Sequence, residues 1–155
     1  MPRVLLTGFY GKLPRHGDFV SRGLKPGVKR ALDQLLTKLA TADLPEDGLR
    51  ASLCFENQMW LALILPSFDA PGRFFPLAVM VPFVDESFQG AEARCKNLSS
   101  IAQSATSGAR DADELLGALP MLEFGAEMPG VPEAIWTSST PPTPLAQVLS
   151  DISSD

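Results

Sequence analysis

The pattern of hydrophobic residues along the chain predicts five strands, each bounded by glycine, proline or polar residues. The apolar runs cover residues 4–10, 49–56, 59–65, 74–84 and 133–137. The second and third runs are continuously apolar, which predicts strands buried on both faces and therefore helices packed on the sheet. The two residues between them, Asn57-Gln58, predict a hairpin turn. Because Pro76 and Pro82 cannot donate to a ladder, the fourth run is bulged, lies at an edge or is shorter than it looks.

Three segments repeat hydrophobic residues at the three- and four-residue spacing of a helix. They cover residues 26–39, 88–107 and 111–119. Pro26 suits the first turn of the first helix. Residues 85–87 supply a cap and an acidic first turn to the second helix, and Gly108 ends it. Asp111 is the expected cap of the third helix.

The order β-α-β-β-β-α-α-β predicts a single domain of the α/β (α+β) class, with a largely antiparallel sheet flanked by helices. The length of 155 residues suits one domain, and a hydrophobic fraction of 45% excludes wholesale disorder. We expect the domain to cover residues 1–140. The remaining residues, 141–155, contain proline, serine and threonine and are expected to form a short amphipathic or disordered C-terminal tail.

Charge is unevenly distributed along the chain. The net charge of -5 argues against a general nucleic-acid-binding protein. Residues 1–30 hold seven basic residues and one acidic residue, which leaves this segment at +6 and the remaining 125 residues at -11. Two interpretations are open. The segment is either a basic rim on an acidic domain or an electropositive face that attracts an acidic or phosphorylated partner.

Neither a membrane segment nor a metal site is predicted. The longest apolar runs, 59–65 and 74–84, are much shorter than the roughly 20 residues that a membrane-spanning helix needs. The apolar run at the N-terminus is too short for a signal peptide. Cys54 and Cys95 lie in predicted core elements and, together with His16, lack the spacing of metal ligands. We therefore expect a cytoplasmic protein without metal or other cofactor.

His16, Asp18 and Ser21 have the residue types of a nucleophilic triad and lie within six positions of one another. A triad needs geometry that the fold assembles, and closely spaced loop residues seldom supply it. The histidine is therefore interpreted as a solvated or structural side chain, and no catalytic residue is predicted. A small hydrolase that uses these three residues is kept as an alternative.

The loop between the first strand and the first helix concentrates cations around glycines, and binding sites are often found on such loops of a rigid scaffold. We predict a partner-binding surface that comprises Lys12, Leu13, Pro14, Arg15, Gly17, Asp18, Phe19, Arg22 and, from a later loop, Arg73. In the competing interpretation the loop only fixes a turn, with Asp18 bonding backbone amides. Arg73 likewise has two open interpretations: its guanidinium is free for a partner's carboxylate, or it forms an intramolecular ion pair at a strand end.

The stretch Gly8-Phe9-Tyr10-Gly11-Lys12-Leu13-Pro14-Arg15-His16-Gly17-Asp18-Phe19-Val20-Ser21-Arg22 resembles the opening signature of the TagF (ImpM) family of type VI secretion accessory proteins. Two later segments resemble further motifs of that family in the same order, Gly72-Arg73-Phe74-Phe75-Pro76-Leu77 and Ala134-Ile135-Trp136. The first helix departs from the family pattern, which tends to have tryptophans there. Many family members also extend further at the C-terminus.

The resemblance implies a cytoplasmic, non-enzymatic accessory protein that represses type VI secretion after translation, with or alongside a kinase/phosphatase pathway. It implies that the partner is a scaffold protein of the forkhead-associated-domain type or another component of the apparatus. It also implies a sheet flanked by helices with some likeness to longin-type domains. An assembly or chaperone module of the apparatus is the alternative. A homodimer is compatible with the pattern if an apolar strand edge is exposed.

Overall fold

Seven strands form one sheet, and helices pack on both of its faces. The computed structural model describes residues 7–83, 87–120 and 131–153. The strands are β1 (Gly8–Gly11), β2 (Val20–Arg22), β3 (Leu49–Phe55), β4 (Gln58–Leu65), β5 (Leu77–Pro82), β6 (Ala134–Thr137) and β7 (Thr140–Pro144). The helices are α1 (Pro26–Leu39), α2 (Phe88–Thr106), α3 (Ala112–Ala118) and α4 (Leu145–Ser153). The strand order is β2-β1-β5-β4-β3-β6-β7 with every pair antiparallel, which confirms the predicted fold class.

The central strands are buried on both faces, as their continuous apolar sequences predict. Successive residues of β4 enter two separate cores. Leu61 and Leu63 pack in the core that α2 and α3 cover, whereas Ala62 and Ile64 pack in the core that α1 and α4 cover. Because side chains alternate between the faces of a strand, a register shift of one residue would exchange the two sets, so the pairing is strongly specified.

The helix ends agree with the capping signals in the sequence. Pro26 occupies the first turn of α1. The Ser87 side chain accepts a hydrogen bond from the Gly90 N–H and caps α2, and Asp111 forms a capping box with Glu114 at the start of α3. The expected acidic residues 85 and 86 lie outside the described residues. None of the helices in the described part of the chain has the length and hydropathy to cross a bilayer.

The hairpin between β3 and β4 is confirmed, but its turn begins one residue earlier than predicted. Glu56 and Asn57 form the turn, and Gln58 already pairs with Phe55. Both turn residues have positive φ, at 55° and 60°. This geometry belongs to the type I′ turn, whose twist matches that of two antiparallel strands.

The fourth apolar run contains a short strand at the centre of the sheet. β5 begins directly after Pro76, ends at Pro82 and lies between β1 and β4. Phe74, which the pattern placed in the strand, makes only an isolated bridge with Phe68. Of the three possibilities for this run, the short strand is therefore the one observed. Residue 84 lies outside the described residues, as do residues 4–6 of the first run.

Three elements are present in addition to the predicted order, namely two strands and a helix. β2 occupies part of the segment predicted as a loop, because Val20–Arg22 pairs with the end of β1. β7 and α4 occupy 140–153, so the described part of the expected tail pairs with β6 and packs against the α1 side of the sheet. β7 contains three prolines. Proline lacks the N–H that would donate to a neighbouring strand, and an edge strand tolerates it because one of its sides has no neighbouring strand.

A buried ion pair joins β3 to α2. The Arg50 side chain is 1% exposed and donates to both carboxylate oxygens of Glu92, at 2.8 and 3.1 Å. It also donates to the carbonyl oxygens of Asp47 and Gly48. The Trp136 indole donates to the same carboxylate at 2.9 Å, so Glu92 connects α2 to two neighbouring strands of the sheet, β3 and β6. Sequence analysis did not single out this pair.

We expect Arg50→Ala to lower the free energy of unfolding by about 3 kcal/mol, because it removes the cation and two of the three hydrogen bonds of the Glu92 carboxylate and the donor to two carbonyl groups. Urea denaturation measures this change. Arg30→Ala on the exposed face of α1 is the matched control and should change the free energy by less than about 0.5 kcal/mol. Equal losses in the two variants would contradict a structural role for the buried pair.

Candidate functional site

Two loops that are distant in sequence lie side by side at one end of the sheet. They are the β1–β2 loop (residues 12–19) and the β4–β5 loop (residues 66–76). β1 and β5 are antiparallel neighbours, and Gly11 is paired with Leu77, so the loop that follows β1 meets the loop that precedes β5. Three hydrogen bonds to backbone carbonyls connect the loops. They run from the Ser67 hydroxyl to Lys12, from the Ala70 N–H to His16, and from the Arg73 guanidinium to Gly17, at 2.6, 2.7 and 2.9 Å.

The buried Asp69 carboxylate lies at the centre of this connection. It forms ion pairs with Lys12 Nζ at 3.2 Å and with Arg73 Nε at 2.8 Å, and it accepts the Arg73 backbone N–H at 2.7 Å. Burial by itself raises the pKa of Asp69, but the hydrogen bonds from the Arg73 backbone and from the Lys12 and Arg73 side chains outweigh it and lower the pKa below its ordinary value. Asp69 is therefore ionised at neutral pH and forms ion pairs with a cation from each loop.

The β1–β2 loop is anchored by residues that do not face solvent. Leu13 lies in the α2 and α3 core, and Lys12 is only 7% exposed. Gly11 has a φ of 147°, and a Cβ added there would lie 2.2 Å from the Pro76 carbonyl oxygen, so only glycine allows this approach. Gly17 needs no such freedom, because its φ is not in the left-handed region and an added Cβ would meet nothing within 4 Å.

Phe19 is held on the surface by other aromatic rings. Its ring is 44% exposed, stacks on Tyr10 with centroids 5.7 Å apart and contacts the edge of Phe75 at 4.9 Å. Lys12 Nζ lies 4.8 Å from the Phe19 ring centroid, within cation–π distance. The Asp18 carboxylate accepts the Phe19 N–H at 2.8 Å, which is the backbone contact that the turn interpretation predicts.

A second aromatic pair lies on the β4–β5 loop. Phe68 and Phe74 are 48% and 39% exposed, and their ring centroids are 5.4 Å apart. Together with Phe19 they are the large hydrophobic side chains that are exposed among the described residues. All three belong to the two loops. We call Phe19, Phe68 and Phe74 the aromatic patch.

Residues at the start of α3 fix the outer part of the β1–β2 loop. The Arg15 guanidinium donates to Glu114 at 3.2 Å and to the Gly108 carbonyl at 2.9 Å. Arg22 pairs with Asp113 at 2.9 Å. Acidic residues of the second half of the chain therefore neutralise two of the cations that made residues 1–30 appear strongly basic. Both pairs are solvent-exposed, so each contributes little to stability on its own.

The proposed triad residues do not form a relay. His16 Nε2 accepts the Ala112 N–H at 3.0 Å, and Asp18 bonds its neighbour's N–H. No hydrogen bond joins His16 to Ser21 among the residues that the structure describes. Over the same ranges, no three side chains of histidine, cysteine, aspartate or glutamate gather as metal ligands.

All nine predicted site residues lie on or beside the paired loops. Their side chains differ in availability, because Lys12 and Leu13 face inward while Phe19 and Arg73 are exposed. The Arg73 guanidinium is engaged by Asp69, which is the intramolecular ion pair of the two open interpretations. Sequence reasoning missed Asp69, Phe68 and the partners on α3. The signal for Asp69 was only its position in a turn-rich loop, four residues before Arg73.

Fold and site together define an α+β domain that presents two interlocked loops at one end of an antiparallel sheet. Residues 8–51, from β1 into β3, match the TagF N-terminal domain, described as type VI secretion system-associated. This match confirms the resemblance to the TagF family, to which the segment with the β1–β2 loop belongs. The chain is therefore a type VI secretion-associated protein.

The fold is also that of a solved protein. The crystal structure of PA0076 from Pseudomonas aeruginosa PAO1 superposes with a TM-score of 0.61 at 21% sequence identity. The alignment covers 94% of this chain and 76% of that one. No curated protein matches the chain in sequence.

The two loop glycines should respond differently to the same substitution. Gly11→Ala should lower the free energy of unfolding by more than about 2 kcal/mol, because the methyl group meets the Pro76 carbonyl at a positive φ. Gly17→Ala should leave it within about 0.5 kcal/mol, because the space is open. Thermal and urea denaturation of the two variants measure the difference. Loss of stability in Gly17→Ala would show that the described loop geometry is wrong.

Asp69 should make the free energy of unfolding depend on pH in the acidic range. Because its pKa is lowered on folding, its contribution is complete above the ordinary value of 3.8 and is lost as the pH falls through the lower value in the folded state. Asp69→Asn should be less stable at pH 7 and lose less stability than the wild type between pH 5 and pH 3. Urea denaturation across this range tests it, with the exposed Asp43→Asn as control. Parallel pH profiles for Asp69→Asn and the wild type would refute the assignment.

Proposed function

We propose that this protein is a non-enzymatic cytoplasmic accessory protein that represses type VI secretion after translation by binding a component of the apparatus. The observation that carries the proposal is the aromatic patch, whose three exposed rings all lie on the paired loops. Exposed aromatic side chains are enriched among the residues that dominate the energetics of protein interfaces. Four of the predicted binding residues, Lys12, Gly17, Phe19 and Arg73, participate directly in holding these loops together.

The loops favour binding because little of their conformational freedom remains to be lost. Asp69 fixes one loop to the other, and Phe19 is restrained by Tyr10 and Phe75. A surface that is already ordered avoids the entropic cost of ordering on association. The partner that the TagF resemblance implies is a scaffold protein of the forkhead-associated-domain type, with another apparatus component as the alternative.

The edges of the sheet are less favourable for binding than the loops. β7 has prolines at three of its five positions and lacks those N–H donors. β2 has three residues, and α3 contacts it. A homodimer through paired strand edges is therefore not part of the proposal.

A hydrolase is less favoured because the imidazole nitrogen that would act as base is already in use. His16 Nε2 accepts a backbone N–H of α3, and activating Ser21 would require this hydrogen bond to break. An assembly module shares the same surface and differs in the sign of its effect on secretion.

Substituting the aromatic pair tests the proposal. Phe68→Ser/Phe74→Ser should fold normally, because both rings are exposed, and should lose capture of the secretion component that the wild type retains from a lysate of the source organism. Mass spectrometry identifies the component. Gln89→Ser/Lys96→Ser on the exposed face of α2 is the control and should capture it as the wild type does.

The same variants determine the sign of regulation in cells. Deletion of the protein should raise type VI secretion, and the wild type and the α2 control should lower it again, whereas the Phe68/Phe74 variant should not. A deletion that abolishes secretion would favour the assembly module. Full capture and full complementation by the Phe68/Phe74 variant would reject the aromatic patch as the binding surface.

A further inference from the structure

Three exposed cations lie at the beginning of α1. Lys25, Lys29 and Arg30 are exposed, and none of them forms a salt bridge within the residues that the structure describes. They differ in this respect from Lys12, Arg15, Arg22 and Arg73, which are paired with acids of the same chain. Within residues 7–30, the cations without an ion pair therefore lie at the beginning of α1 and not on the β1–β2 loop.

Asp33 is placed to neutralise these cations but bonds another group. It follows Lys29 by four residues and Arg30 by three, the spacings at which helical ion pairs form. Its carboxylate instead accepts the Tyr10 hydroxyl at 2.6 Å. Burial and this hydrogen bond raise the pKa of Tyr10, so the phenol remains a donor to Asp33. Asp33 therefore forms no ion pair with Lys29 or Arg30 among the described residues.

The two cations border a groove of about 420 Å³ between α1 and the β1–β2 hairpin. Tyr10, Ser21 and Asp33 also line it. The groove adjoins the aromatic patch at Tyr10, because Tyr10 lines the groove and its ring stacks on Phe19. A bound segment of a few residues can therefore contact the cations with one part and the exposed Phe19 ring with another.

We propose that this groove binds an acidic segment of a protein partner, with carboxylates at Lys29 and Arg30 and an apolar side chain against Phe19. The inference rests on the proposed function, since the segment belongs to the partner that the loops hold. Charge complementarity favours this occupant. Three cations on a chain with a net charge of -5 are few for a nucleic acid or a lipid surface, which present long rows of phosphates.

Fluorescence anisotropy with the full chain tests the groove. The probe is a labelled peptide of glutamates around one phenylalanine, and its glutamine counterpart is the uncharged control. We expect the acidic peptide to bind, its affinity to fall with rising salt, and Lys29→Gln/Arg30→Gln to weaken it about tenfold. Lys38→Gln, which removes an exposed cation from the last turn of the same helix, should bind as the wild type does.

Three results would overturn the inference. They are equal binding of the glutamine peptide, an equal loss in Lys38→Gln, and preferential binding of vesicles containing anionic phosphatidylglycerol or of single-stranded DNA that Lys29→Gln/Arg30→Gln abolishes. Circular dichroism of the double variant excludes unfolding as the cause of a loss, since both side chains are exposed.

Capture of the secretion component separates this inference from the proposed function. If Lys29→Gln/Arg30→Gln captures the component as well as the wild type does, the groove is not its binding site, and the aromatic patch stands. If the acidic peptide binds the groove but the wild-type protein captures no secretion component, the proposed function fails and the groove's preference for acidic peptides stands.

Discussion

The site depends on one buried carboxylate that two loops share. Asp69 is surrounded by Lys12 from one loop and by Arg73 from its own, and it is shielded from water. If the two loops separated, Lys12 would lose its carboxylate and Asp69 would lose one of its two cations, so this ion pair favours the loops remaining together. On these connected loops, contacts with Tyr10 and Phe75 hold the exposed Phe19 ring in place.

The strand order brings the two loops together, and the ion pair between Lys12 and Asp69 joins them. β1 and β5 are neighbours, so loops more than fifty residues apart in sequence meet at one end of the sheet. The start of α3 adds a third contact through Arg15 and Arg22. Because these two cations are paired, the exposed cations of residues 7–30 without an ion pair are those at the beginning of α1. The aromatic patch and these cations lie on either side of Tyr10, which stacks on Phe19 and lines the groove beside Lys29 and Arg30.

Local patterns predicted much of the fold. The spacing in 26–39 and the continuous apolar runs of β3 and β4 identified a helix and a two-sided sheet, because burial leaves a direct trace in hydrophobic periodicity. β2 and β7 were missed, since three residues or a proline-rich edge leave no such trace. The Arg50–Glu92 pair and the pairing of Asp69 with Lys12 were missed because such distant partners can be matched only when strand order is known. The pairing of Asp69 with Arg73, four residues later, is local, but a turn-rich loop has no regular geometry from which to predict it. The loop's composition predicts a candidate binding surface, but it does not show that Lys12, Arg15 and Arg22 are paired with acids of the same chain.

The contacts of the β1–β2 loop have a consequence for how the protein is made. His16 and Arg15 complete their hydrogen bonds with Ala112 and Glu114, which are 96 and 99 residues further along the chain. Domains fold during or after synthesis only when the segments they require have emerged from the ribosome. A nascent chain that has exposed residues 8–22 therefore carries the family motif without its final geometry. The contacts that fix the loop against α3 therefore form only after the chain has been synthesised beyond residue 114.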